Sequence, residues 1–130
     1  MATILILEDD AAVRSLLALS VRLDGHNVWE SASVEEAEEI SNSHRIDVLV
    51  ADIVLPGSRS GADFAVALTQ SQPNVRVLFV SGWLVQRDSD VDNIAKLPDG
   101  SYTILQKPFG NDRFIQQVRR LLVKRRTAKP

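Results

Sequence analysis

The sequence predicts an α/β domain: a parallel sheet with helices packed on both faces. Three observations carry this. Five short β-rich apolar runs recur along the 130 residues, each followed by a helix-like stretch. The first run, Thr3-Ile4-Leu5-Ile6-Leu7, is continuously apolar, as a strand buried on both faces is. Strict β-then-α alternation implies parallel strands joined by right-handed crossovers.

Each element has a local reason. Asp10 stands where an N-cap would, ahead of a helix whose apolar stripe is read as Val13, Leu16, Leu17 and Val21. Gly25 sits where a C-terminal glycine stops it. Asn27 to Ser31 is a weaker strand. Ser33 and Glu36 have capping-box spacing, and Ala37 and Ile40 continue that second helix. Val48 to Ala51 is the third strand. Ala62 to Gln70 reads as a helix with Phe64, Ala65 and Leu68 inward, and Arg76 to Val80 as the fourth strand. Leu84 to Ala95 is the weakest helix, because Asp88, Ser89, Asp90 and Asp92 are poor helix formers. Pro98-Asp99-Gly100 makes a turn, and Tyr102 to Leu105 is the fifth strand. Asn111 is expected to cap a last helix with Phe114, Ile115, Val118, Leu121 and Leu122 on one face. Residues 1–123 form one domain on this reading, and 124–130 a polar, basic, disordered tail.

Composition bounds the function. There is no cysteine, which removes disulfides, thiolate metal sites and cysteine nucleophiles and fits a reducing, cytoplasmic location. No apolar run reaches the length of a membrane span. Fifteen basic against seventeen acidic side chains argue against a general nucleic-acid binder. The stretch Arg119 to Pro130 holds six basic residues and no acid, which reads as a solvated helix end favoured by the helix dipole.

In open α/β sheets, ligands bind beyond the carboxyl ends of the strands. Glu8, Asp9 and Asp10 follow the first strand. Asp52 and then Ile53-Val54-Leu55-Pro56-Gly57 follow the third, Ser81-Gly82 the fourth, and Gln106-Lys107-Pro108-Phe109 the fifth. Taken singly, each has a bland reading as a helix cap, a turn residue or a solvated charge. Together they gather carboxylates, a hydroxyl and an ammonium at one edge. Like charges there repel, and a hard divalent cation such as Mg²⁺ would relieve them. A lysine and a hydroxyl beside it would complement phosphoryl oxygens.

These four segments, in this order and spacing over essentially the whole chain, resemble the receiver domain of two-component response regulators. Leu-Pro-Gly and Ser-Gly-Trp make it similar to receivers attached to hybrid histidine kinases and to stand-alone relatives. The resemblance implies a flavodoxin-like, doubly wound (βα)5 fold with strand order 2-1-3-4-5. It implies a phosphoacceptor at Asp52, charged from a phosphohistidine. Mg²⁺ would be held by Asp9, Glu8, Asp52 and the backbone carbonyl of Val54. Ser81 and Lys107 would bind phosphoryl oxygens, and the Lys107-Pro108 bond would be cis. Asp10 is read as a helix cap near the metal, not a ligand. The domain would be a switch, not an enzyme beyond phosphorylating and dephosphorylating itself at Asp52.

Departures from the family pattern matter too. The position of the usual aromatic switch residue holds Ile104, and Tyr102 lies two residues before it. The signal is therefore expected to pass through the loop after Ser81 and the helix that follows, not through a rotating ring. Val54 and Trp83 occupy the positions that modulate acyl-phosphate lifetime, and neither is suited to orienting an attacking water. Implied partners are a histidine kinase or histidine phosphotransfer protein, a downstream protein on the face of the fourth helix, fifth strand and last helix, and a second copy after phosphorylation. No nucleic acid or membrane is implied. A phosphohydrolase using an aspartyl phosphate would carry an acid where Val54 stands. A phosphate-cradling flavodoxin loop would not hold three acids. A degenerate receiver serving only for docking is the alternative reading. Whether the domain stands alone or belongs to a longer protein stays open.

Overall fold

The computed structural model describes residues 1–82 and 88–127, the side chains of 124–127 excepted. Ten elements alternate: β1 (Thr3–Leu7), α1 (Ala11–Leu23), β2 (Asn27–Ser31), α2 (Val34–Ser43), β3 (Val48–Asp52), α3 (Gly61–Ser71), β4 (Arg76–Ser81), α4 (Asp88–Ala95), β5 (Tyr102–Gln106) and α5 (Asn111–Thr127). All strand pairs are parallel, in the order β2-β1-β3-β4-β5. This is the doubly wound arrangement expected from the sequence.

The two faces of the sheet build two cores. Leu5, Leu7, Leu49, Ala51, Val77 and Phe79 point one way, against α2, α3 and Ile94 of α4. Ile4, Ile6, Val48, Val50, Leu78 and Val80 point the other way, against Leu17, Ala18 and Val21 of α1 and Phe114, Val118 and Leu121 of α5. Every residue of β3 is buried, because it lies between β1 and β4 and under helices on both sides. Period-two alternation thus explains why the central strands are apolar throughout.

Local chemistry sets the helix ends. The Asp10 side chain accepts from the Val13 amide (3.0 Å) as the expected N-cap of α1. Gly25, at φ +92°, takes the left-handed conformation that ends the helix, its N–H reaching the Arg22 carbonyl. Ser33 caps α2 by accepting from the Glu36 amide, but the Glu36 carboxylate accepts from Ala32 rather than closing the box on Ser33. A full capping box instead opens α3, between Ser60 and Asp63, and the helix starts at Gly61, one residue earlier than read from sequence.

Three expectations are corrected. Leu16 is 63% exposed while Leu17 is 5% exposed, so α1 rests on the sheet through Leu17, Ala18 and Val21, and Val13 is only half-buried. Leu16, one position away, is turned about 100° around the helix from Leu17. Asn111 begins α5 rather than capping it: the Gly110 carbonyl accepts from the Phe114 amide (3.2 Å), and the Asn111 side chain accepts from Ser20 Oγ on α1. Helix α5 also continues to Thr127, into the stretch read as a tail, where basic residues are good helix formers and suit the negative end of the dipole. The described part of α4 begins at Asp88, and Leu84 to Arg87, expected to start that helix, lie outside the described residues. Among the described residues no helix is long and apolar enough to cross a membrane.

The orientation of α1 has a measurable consequence. Leu17→Ala should cost about 2–5 kcal/mol by urea unfolding, as buried leucine truncations do. Leu16→Ala should stay within about 0.5 kcal/mol of the parent, as exposed positions do. Equal losses at both positions would contradict the packing.

Candidate functional site

The carboxyl ends of β1, β3, β4 and β5 meet at one rim. Glu8 follows β1 directly and is held by its own backbone, its N–H donating to the Ser31 carbonyl of β2 (3.0 Å) and its carbonyl accepting from Arg14 of α1 (2.9 Å). That anchoring aims its carboxylate inward, and the side chain is almost wholly buried. Asp52 ends β3 and is also buried. Asp9 lies at the exposed mouth. Carboxylate oxygens of Glu8, Asp9 and Asp52 lie within 4.8 Å of one another. Asp10 lies outside this group and caps α1, as expected.

Lys107, just past β5, reaches into the pocket. Its ammonium donates to Glu8 Oε1 (2.8 Å) and to Asp52 Oδ2 (3.0 Å). Its amide donates to the Ser81 carbonyl (2.7 Å), which seats the lysine beside the end of β4. The Lys107-Pro108 bond is cis, as the family resemblance implied. The remaining carboxylate oxygens have backbone donors: Val54 N–H to Asp52 Oδ1 (3.0 Å), and Asp10 N–H to Glu8 Oε2 (3.2 Å).

The charges respond to this packing. Burial raises the Glu8 carboxyl above its ordinary 4.5, reinforced by the Asp52 charge and opposed by the hydrogen bonds from Lys107 and Asp10. Burial lowers the Lys107 ammonium, but its hydrogen bonds and ion pairs with Glu8 and Asp52 outweigh that, and it ends above its ordinary 10.5. The donor set suits a hard cation: all oxygen, anionic, and converging from two strands. The soft and nitrogen ligands that would favour zinc or copper are missing from this group.

The other expected site residues fall as follows. Ser81 is buried at the end of β4, opposite Gln106 in the β4–β5 ladder and one position beyond Val80, which faces Asp52. Val54 touches the pocket through its amide, and its side chain is exposed. Ile104 lies on β5 opposite Phe79, half-exposed. Tyr102 sits at the opposite end of β5 from Lys107, its ring edge-on to Phe79 with centroids 6.2 Å apart. Trp83 lies outside the described residues. Sequence reasoning missed Arg14 on the Glu8 carbonyl, and it missed the close approach of Gly61 to Asp52. A Cβ at Gly61 would overlap the Asp52 carbonyl oxygen, so only glycine fits there. The Ser60-x-x-Asp63 pattern was a readable helix-start signal just before that glycine.

Fold and pocket together define a class, the CheY-like α/β domains with an acidic rim. The structure superposes on the receiver domain protein (CheY-like) of Methanospirillum hungatei JF-1 with a TM-score of 0.86 over 99% of both chains, at 17% identity. It also matches NtrX from Brucella abortus, with a TM-score of 0.82 and 26% identity, over 97% of this chain and 28% of that one. A family profile described as the response regulator receiver domain matches residues 4–119. The chain belongs to that family. It is 33% identical over 119 residues to the aerobic respiration control protein ArcA of Escherichia coli K12, covering 92% of this chain and 48% of that protein. It is 31% identical over 125 residues to the sensor kinase CckA of Brucella abortus, covering 95% of this chain and 13% of that protein. The chain thus spans about half the length of ArcA.

The raised Glu8 carboxyl predicts a stability cost with a definite sign. Between 4.5 and its higher folded value, the folded state binds the extra proton, so stability falls as pH rises through that window. Above it the cost of the buried charge is present in full. Glu8→Gln should therefore stabilise the metal-free domain at pH 7, and the gain should shrink as the pH is lowered toward 4.5. Urea unfolding in chelator at both pH values measures this, and destabilisation at pH 7 would contradict it.

Proposed function

We propose that this receiver domain is a phosphoacceptor switch in which Asp52 takes a phosphoryl group from a phosphohistidine. The observation that carries this is the Asp52 carboxylate at the end of β3, 3.0 Å from the Lys107 ammonium and grouped with Glu8 and Asp9. In the transfer, one Asp52 carboxylate oxygen forms a bond to phosphorus as the phosphorus–nitrogen bond of the donor breaks. The acyl phosphate stays on Asp52 and the imidazole leaves with the electron pair. Lys107 holds positive charge where the phosphoryl oxygens arrive, and the Ser81 hydroxyl donates to another of them. The Val54 amide fixes the other Asp52 oxygen, so the carboxylate is oriented before the donor comes. Mg²⁺, held by Asp9, Glu8, Asp52 and the Val54 carbonyl, would offset the charge of an anionic donor against an anionic pocket.

The product adds charge and acceptor oxygens beside Lys107 and Ser81, which shifts the loops that carry them. Val54 offers no polar side chain to orient water, so hydrolysis of the product is slow. Exposed Leu16, Leu19 and Leu23 form a stripe along α1, which starts at the pocket mouth, and this suits a helical phosphohistidine donor. Exposed Val91 and Ile104 on α4 and β5 suit a downstream protein. A docking-only reading is disfavoured by the complete set of three acids and a lysine at the rim.

Incubation with acetyl phosphate and Mg²⁺ should give a labile phosphoryl adduct mapping to Asp52 by mass spectrometry. It should be lost in Asp52→Asn and without Mg²⁺, and reduced more than about tenfold in rate in Lys107→Ala, as removal of a charge-stabilising group does. An adduct that persists in Asp52→Asn would refute the assignment.

A further inference from the structure

The start of α3 is tied to two places at once. On one side, Gly61 lies against the main chain of Asp52, and its N–H donates to the Ile53 carbonyl (3.1 Å). On the other, the preceding residue, Ser60, is buried and donates its hydroxyl to Asp90 Oδ1 of α4 (2.7 Å). The same hydroxyl accepts from the Asp63 amide (3.1 Å), and Asp63 Oδ2 accepts from the Ser60 amide (2.8 Å). The second oxygen of Asp63 accepts from the Asn93 side chain of α4 (2.6 Å). Asp90 and Asn93 are three residues apart, so they share one face of α4 and both grip the first turn of α3.

Asp90 is 2% exposed, while Asp88 and Asp92 beside it are exposed. A carboxylate is buried only where hydrogen bonds compensate its desolvation. A hydrophobic residue would have packed α4 on α3 without that demand. What the polar pair adds is direction: sliding or rotating α4 breaks a short hydrogen bond to a buried charge, whereas apolar contacts would tolerate the slip.

We propose that Ser60, Asp63, Asp90 and Asn93 form a polar latch that couples the position of α4 to the backbone carrying Asp52. They are positioning residues: none touches the pocket, and each acts through Gly61 and the β3–α3 connection. This rests on the proposed function, since it names how occupancy of that pocket is read. A change in the Asp52 main chain is passed to α4 through the N-terminus of α3. No aromatic ring at position 104 is needed, and Tyr102 remains in the core against Phe79. By linkage, whatever binds α4 alters the affinity of the pocket by the same factor.

The test uses beryllofluoride with Mg²⁺ as the phosphoryl mimic. Fluorine NMR reads whether the pocket is occupied, and amide hydrogen exchange reads α4. In the wild type, occupancy should change exchange across Asp88–Ala95 by about fivefold or more, the lower end of ordinary coupling between sites. In Ser60→Ala and in Asn93→Ala that change should fall within about twofold while the bound fluorine signal persists, a loss of most of the coupling. Asn93→Ala leaves the α3 cap intact, so a purely structural capping role would move only Ser60→Ala. Ser60→Thr keeps the hydroxyl and should restore the response. A full α4 response in both alanine variants, or no α4 response in a wild type that shows bound fluorine, would overturn the latch. Absence of any bound fluorine in the wild type would overturn the proposed function, and the latch's role with it.

Discussion

Everything at the rim follows from forcing carboxylates together where water is scarce. Glu8 and Asp52 are both buried, and their oxygens lie within 4.8 Å. At an effective dielectric near 20, two such charges repel by on the order of 3 kcal/mol. That is a large share of the margin of a small domain. Lys107 answers it from the end of β5, across β4 from Asp52, with one ammonium donating to both acids. The pocket is therefore held under electrostatic load, balanced by a cation on the chain and able to take another.

The sheet makes that load bearable. Parallel strands present all their carboxyl ends on one side, so acids from β1 and β3 and the lysine after β5 converge without any long excursion of chain. Both faces of the central strands are sealed by aliphatic side chains, and the backbone that carries Glu8 and Asp52 has few ways to relax apart. The same rigidity explains why a small loop such as that between β3 and α3 can be a sensitive element. Its two ends are pinned, and Gly61 leaves it almost no clearance against Asp52.

Much of this could be read from residues alone. The central strands were legible because burial on both faces writes itself as unbroken apolar runs, and the pocket because its acids and lysine each stand directly after such a run. The α1 surface was harder. Leu16, Leu17, Leu19 and Leu23 offer two overlapping stripes, and periodicity cannot say which one the sheet takes. Asn111 looked like a cap because asparagine so often is one, yet its side chain was recruited by Ser20 across the α1–α5 contact, a tertiary partner no local pattern announces. Asp90 was invisible for a similar reason. In a run with Asp88 and Asp92 nothing local sets it apart, and the hydroxyl of Ser60, which helps to make its burial tolerable, arrives from a distant part of the chain. The three acids that group at the rim could be named from the motif, but the upward push on Glu8 needed the packing.

The sheet is also mechanically lopsided. Asp52 rides on β3, laced to a neighbour on either side, whereas Lys107 hangs from β5, which among the described residues is stitched to β4 alone at the edge of the sheet. A tug between the two groups is consequently shared unequally: the larger displacement falls on the outermost strand and a smaller one on the main chain of Asp52. Movement provoked at the rim is thereby channelled toward the periphery of the molecule, where a bystander protein could feel it, instead of being dissipated through its centre.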